Sequence, residues 1–315
     1  MGMCYNAYLF TLLIPPAILG YINADLGPDI RYTWITISWN LGGAIFVTVG
    51  GRLSDIFGRR WFFISGNILL IIGAIVSATG QSIDQMIAGG AIFGCGSGFL
   101  ETSFGAVQEI VPNEYRMVTI GIFDASSIIA QMMPLVSWVI IRNTGTWRNC
   151  YYLMIGFQSL NLIFLYFFYD PPQFSTKHRL DGSTKLQLLR KFDWFGLFLF
   201  TAGCTLFIVG VGWGGSLFPW ISATSITPII VGFLTLVALG FWERYGKLDE
   251  PLLPPRMFKQ VRQFTMPIIC MSITGMQYYS NATLVCLSPN SVHFPNLFNP
   301  VGTTFTASLC HRRYL

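Results

Sequence analysis

The 315-residue sequence predicts an all-α polytopic membrane protein, and three observations carry that reading. Hydrophobic residues make up 53% of the chain and charged residues only 10%, against about 25% charged in soluble domains. A water-facing surface on a chain of this size cannot be covered with so little charge. The charge is also clustered, since residues 32–51, 61–83, 149–169 and 194–242 carry none. About 20 apolar residues cross a hydrocarbon core of roughly 30 Å, so the last of these runs, 49 residues long, holds two spans. Within the runs apolar and polar residues do not alternate, which excludes barrel strands.

Nine spans follow in order. The first, Tyr8–Ile22, is short and is expected to be broken by Pro15-Pro16. Thr33–Val49, Phe62–Thr79, Met86–Gln108, Val118–Ile141 and Tyr151–Phe168 come next. Trp194–Gly212 and Ser222–Trp242 are divided by a glycine- and proline-containing turn edged with tryptophans, residues 212–220. Phe264–Leu287 is the last. Beyond it, residues 288–315 have neither helical periodicity nor the charge of a loop, so the chain is expected to be a fragment whose tail is partly out of frame. In the fourth span Gly90, Gly94 and Gly98 recur every four residues on one face, the spacing of two overlapping small-residue contact motifs. In the third, Gly66, Gly73 and Gly80 recur every seven. Packing is the reading for both stripes.

Basic residues set the orientation. If the segment Arg52–Arg60 is cytoplasmic, the connections on its side carry 14 of the 19 Lys and Arg residues, and the opposite side holds Arg31, Arg142 and Arg148. The net charge of +5 is therefore a matter of topology, and no basic stripe points to nucleic acid. Seven cysteines lie singly with no C-x-x-C, so neither metal nor disulfide is expected, and the three histidines fall outside the nine spans. No G-x-S-x-G, H-E-x-x-H or P-loop is present, so an enzyme is not expected, and neither is ATP-driven transport or any cofactor.

Residues 51–60 read G-R-L-S-D-I-F-G-R-R. This resembles the signature loop between the second and third helices of the major facilitator superfamily, matched at Gly51, Asp55, Gly58, Arg59 and Arg60, with Ile56 where a basic residue is usual. Further segments, among them Trp61–Asn67, Gln108–Arg116, Phe167–Pro172, Phe192–Gly196 and Pro251–Pro254, resemble the fungal branch that includes trichothecene efflux pumps and siderophore–iron transporters. The resemblance covers roughly residues 7–285. It implies a fold of fourteen helices, of which about nine are present. On that plan residues 1–169 are an amino-terminal six-helix half with a truncated first helix. Residues 170–193 form a cytoplasmic loop, 194–243 two inserted helices, 244–263 a second cytoplasmic loop, 264–287 the first helix of the second half, and 288–315 an aberrant tail.

The resemblance further implies that Asp55 and Arg59 form a charge latch, and their four-residue spacing allows contact. Glu109 and Arg116 lie on the same side and complete a candidate charge network. Two carboxylates inside predicted spans, Glu101 and Asp124, are candidates for proton coupling, since an ionised carboxylate at that depth costs about 2.5–3.5 kcal/mol. Gly90 stands where many proton-coupled exporters have an arginine, and Met132–Ser137 replaces their G-P-x-x-G-G run. Trp34, Trp39, Phe104 and Trp138 are aromatics that could line a cavity or pack against neighbours. The expected protein is a secondary transporter of the fungal plasma membrane, in contact with the lipid bilayer, a small organic substrate and protons. It exports a bulky toxin or drug by alternating access; the alternatives are a siderophore–iron importer and a truncated, non-transporting membrane protein.

Overall fold

The computed structural model describes residues 1–169, 193–215, 217–246 and 261–287. Most of the expected loops at 170–193 and 244–263, and the whole tail 288–315, lie outside the described residues. All nine expected spans are helical. They are α1 (Gly2–Leu26), α2 (Trp34–Phe57), α3 (Arg59–Ala78), a fourth built of α4 (Ile83–Glu101) and α5 (Ser103–Ile110), and a fifth built of α6 (Arg116–Ser126), α7 (Ile128–Gln131) and α8 (Met133–Thr144). The sixth is α9 (Arg148–Phe168), followed by α10 (Trp194–Trp213), α11 (Ala223–Tyr245) and α12 (Met266–Leu287). Six of these stretches, the run 113–144 among them, are long and apolar enough to cross a membrane by length and composition.

The first helix is neither short nor broken. It runs 25 residues through Pro15 and Pro16, although an interior proline costs about 3 kcal/mol. Burial explains the continuity. Of its most apolar window, 72% is buried, and the buried side chains, from Cys4 and Tyr8 to Ile18 and Ile22, lie all around the helix. A helix apolar on every side belongs in a core, and α1 touches α2, α3, α4, α8, α9 and α12.

The helix α4 is clamped between α2 and α3 by glycine on both sides. An added Cβ at Gly90 would stand 2.5 Å from the Ile35 carbonyl oxygen, and one at Gly98 2.6 Å from the Val47 amide nitrogen. At Gly94 it would collide with the Trp39 carbonyl. On the other side Gly66 of α3 meets Leu100, Phe99 and Gly96, and Gly73 meets Phe93. Both glycine stripes are therefore contact surfaces, and α4 is where they meet. Ser82 caps α4 by accepting from the Gln85 amide at 3.3 Å, while the Gln85 side chain accepts from the Gln81 amide, close to the reciprocal arrangement of a capping box.

The inserted pair forms a hairpin closed by Gly203 against Leu236, Gly232 against Phe207 and Gly210 against Ile229. Asp193 caps α10 through the Gly196 amide at 2.8 Å and also accepts from Trp242 Nε1 at 3.2 Å, tying the start of α10 to the end of α11. The turn between them falls at the tryptophan-edged segment, with Gly215 at φ 75°. This hairpin leans on α2 along its length, with Leu197 packed against Val49 and Leu53 and Trp213 6.4 Å from Trp34.

Candidate functional site

The segment 51–60 is not a loop. Residues 51–57 finish α2, Arg59 begins α3, and Gly58 alone joins them. Its φ is 96°, and its amide still donates to the Ser54 carbonyl at 2.9 Å. A Cβ there would meet nothing within 4 Å, so the glycine is required by backbone conformation rather than by space. Gly51 is different: it has an ordinary φ and open space around it, and nothing in the structure requires a glycine there.

The one-residue link puts Arg59 and Arg60 at the first turn of α3. Arg59 Nη2 donates to Glu109 Oε1 at 2.7 Å, bridging α3 to α5 across 50 residues of sequence. Arg60 Nη2 donates to the Tyr166 carbonyl at 2.8 Å, near the end of α9. The two arginines thus tie the starts of α3 to two different helices. Glu109, expected as a member of a charge network, is engaged by Arg59. Arg116 has no ion pair among the described residues, and its Nε is buried without a partner. The Asp55 side chain lies outside the described residues.

Glu101 is the last residue of α4 and Asp124 lies in α6. Each is eight residues from the Arg59 end of the bundle, counted from Glu109 and Arg116 respectively. At 1.5 Å per residue that places each carboxylate about 12 Å along its own span. Both spans break beside them. Thr102 interrupts the fourth, its hydroxyl donating to the Phe99 carbonyl at 2.7 Å, and Ser127 interrupts the fifth, donating to the Asp124 carbonyl at 2.6 Å. Such bonds compete with the helix ladder and bend it. Glu101 is half-buried and makes no hydrogen bond or ion pair among the described residues; Asp124 is exposed.

Of the aromatics, Trp39 is buried, stacks on Tyr8 and donates to the Thr11 hydroxyl at 3.2 Å. Phe104 packs against Tyr5 and Phe123, Trp34 faces Trp213, and the half-exposed Trp138 lies under the Arg142 guanidinium at 5.4 Å. All four pack on neighbours, and Trp39 also lines a cavity beside α1.

Two constellations were not foreseen. At the opposite end of the bundle Asp25 accepts from Trp147 Nε1 and Arg148 Nη1, both at 2.9 Å, and Arg148 also donates to the Gly80 carbonyl. Arg31 bridges Asp29 and Asp84 at 2.8 and 2.9 Å. Hydrogen bonding to Arg31 holds Asp29 below the ordinary carboxylate range. The second is a buried polar seam: Asn67 donates to the Gln158 carbonyl at 2.7 Å, Asn161 donates to Asn67 at 3.0 Å, and Cys4 Sγ lies 3.7 Å from Asn161. The Gln158 amide itself is wholly buried with neither atom bonded.

Glycine-packed spans, an arginine-rich one-residue turn and carboxylates at membrane depth define a polytopic membrane protein of transporter type. Comparison with known proteins agrees. Residues 1–302 match the family model of the fungal trichothecene efflux pump. The chain is 32% identical over 287 residues to a trichothecene efflux pump of Fusarium sporotrichioides, covering 91% of this chain and 47% of that protein. It is 30% identical over 277 residues to the pump of the same name in Trichoderma arundinaceum, covering 88% and 46%. A third relative, 28% identical over 242 residues and covering 76% and 44%, is multidrug resistance protein 3 of Bacillus subtilis. The chain belongs to the fungal trichothecene efflux pump family of the major facilitator superfamily. It spans about half the length of the curated relatives it matches.

Proposed function

We propose that this chain works as part of a secondary transporter that exports a bulky organic toxin across the fungal plasma membrane by alternating access, coupled to protons. The observation that carries the reading is the Arg59–Glu109 bridge beside Gly58, an ion pair at the end of the bundle that ties the third span to the fourth at 2.7 Å. The Arg59 side chain is 17% exposed, which shields the pair from water better than its partner's 52% alone would. In this reading Asp55, Arg59 and Glu109 form a latch that holds one access state, on the cytoplasmic side marked by the excess of Lys and Arg. Glu101 and Asp124 carry the coupling: two carboxylates beside two helix breaks, without ion-pair partners among the described residues. The names of the relatives, two of them trichothecene efflux pumps and one a multidrug resistance protein, support export as the direction.

Expression in toxin-sensitive yeast tests the reading by following intracellular retention of a radiolabelled trichothecene. Cells carrying the protein should retain less than control cells. Asp55→Asn should restore retention while surface insertion stays unchanged, since the change removes charge but keeps volume. In vesicles Glu101→Gln should keep downhill exchange and abolish accumulation driven by a pH gradient. Unchanged pH-driven accumulation removes Glu101 from the mechanism. Uptake of a ferric siderophore without toxin export overturns the direction, and neither activity overturns transport by this chain.

A further inference from the structure

Where Pro15 and Pro16 pass through α1, the carbonyls of Thr11 and Leu12 lose the amide donors that a helix supplies four residues on. All four of these residues line one cavity of about 40 Å³. It is completed by α2 through Ile35, Thr36, Trp39 and Asn40, and by Ser77, Gly90, Phe93 and Tyr151 from three further helices. Two of the lining residues that carry hydroxyls, Ser77 and Tyr151, are 1% exposed, and neither hydroxyl bonds another group among the described residues. Buried polar groups without partners are costly, and native structures satisfy them with protein or ordered water. A water molecule needs about 10–15 Å³ of such space and two to four polar partners, so the cavity holds about three.

We infer that this cavity is an internal hydration site, in which ordered water bonds the Thr11 and Leu12 carbonyls and the Ser77 and Tyr151 hydroxyls and so lets α1 run through two consecutive prolines. The site goes beyond the transport reading and does not depend on it. An apolar occupant would leave two carbonyls and two hydroxyls unbonded, whereas water bonds all four. Trp39 closes one wall without competing, because its Nε1 is already given to the Thr11 hydroxyl.

X-ray hydroxyl-radical footprinting of the chain in phosphatidylcholine nanodiscs, read by mass spectrometry, tests this, because radicals form from water at the side chain. Tyr151 and Phe10 make a matched pair: both are fully buried, but Phe10 stacks on Phe157 at 4.3 Å and does not line this cavity. Tyr151 should be labelled several-fold faster than Phe10, and equal labelling overturns the proposal. Thr36→Leu fills the cavity from a half-exposed position whose hydroxyl bonds only the Thr33 carbonyl, at the residue that precedes α2. It should bring Tyr151 down to the rate of Phe10. Labelling that persists in that variant means the water lies elsewhere, and the proposal fails. Asn40→Leu gives a second filling variant with the same two outcomes should Thr36→Leu not fold.

Discussion

The fourth and fifth spans are neighbours in sequence, joined through residues 111–115, and each carries one carboxylate beside a helix break, yet they are held in opposite ways. In the fourth, α4 meets α2 and α3 at backbone distance through Gly90, Gly94 and Gly98 on one side and Gly89 and Gly96 on the other. In the fifth, a Cβ at Gly121 would meet nothing within 4 Å, and only 17% of the most apolar window is buried. The fifth is also broken twice, at Ser127 and Met132. Close approach of backbones fixes an element because nothing there can yield by a rotamer change; side chains facing open space allow several arrangements. The two spans therefore differ in what surrounds their carboxylates: Glu101 ends a helix packed backbone to backbone, and Asp124 is exposed on an open one.

The largest expected effect tests that contrast directly. Gly94→Val drives a branched side chain into the Trp39 carbonyl and to within 3 Å of Gly42. Overpacking of this kind costs about 1–3 kcal/mol where side chains can yield, and backbone cannot, so most of the folded population should be lost in thermal unfolding followed in detergent. Gly121→Val, the matched change on α6, should be neutral or slightly stabilising, since a helix gains a few tenths of a kcal/mol on losing an exposed glycine. Equal damage from both would show that the fifth span is packed as tightly as the fourth and would break the comparison.

A smaller effect sharpens it on the rigid side. The seam between α3 and α9 contains the unbonded Gln158 amide, while the Asn67 bond goes to the Gln158 main chain and survives any substitution. Gln158→Met keeps the volume and removes a buried, unsatisfied group, whose presence costs about 1–3 kcal/mol. The unfolding midpoint should rise. A fall would mean that Gln158 is bonded in the membrane and that the seam is a functional polar path rather than tolerated strain.

Nine spans and their approximate ends among the described residues were legible in the sequence because charge and glycine spacing act locally: a run without charge spans, and Gly90, Gly94 and Gly98 share a face whatever lies opposite. What was not legible had a non-local cause. Pro15-Pro16 reads as a break in any single-helix argument, and only the burial of α1 on all sides overrides it. The segment 51–60 reads as a loop by its charge, yet Gly58 turns the chain in one residue. Glu109 was legible as a charged partner, but the choice of Arg59 over Arg116 depends on how α3 crosses α5. Arg31 and Arg148 served only as topology counts, because Asp25 lies 123 positions from Arg148 and no spacing rule connects them.

The smallest expected effects separate the two ends of the bundle. Asp25 accepts from Trp147 and Arg148 at the far end, where the two charged side chains are 50% and 33% exposed, while Arg59 at the other end is 17% exposed. An exposed ion pair is worth about 0–1 kcal/mol and weakens as salt screens it. In a double-mutant cycle Asp25→Asn with Arg148→Gln should give a coupling near the bottom of that range that vanishes in high salt. The cycle of Glu109→Gln with Arg59→Gln should give a larger coupling that survives salt, because the guanidinium is partly withdrawn from water. The carboxamides keep hydrogen-bonding capacity at each position, so the cycles report charge rather than packing. If the far-end pair proves the stronger, the clamp that holds this bundle together sits opposite the signature turn, and the Arg59 bridge is free to open without costing the fold.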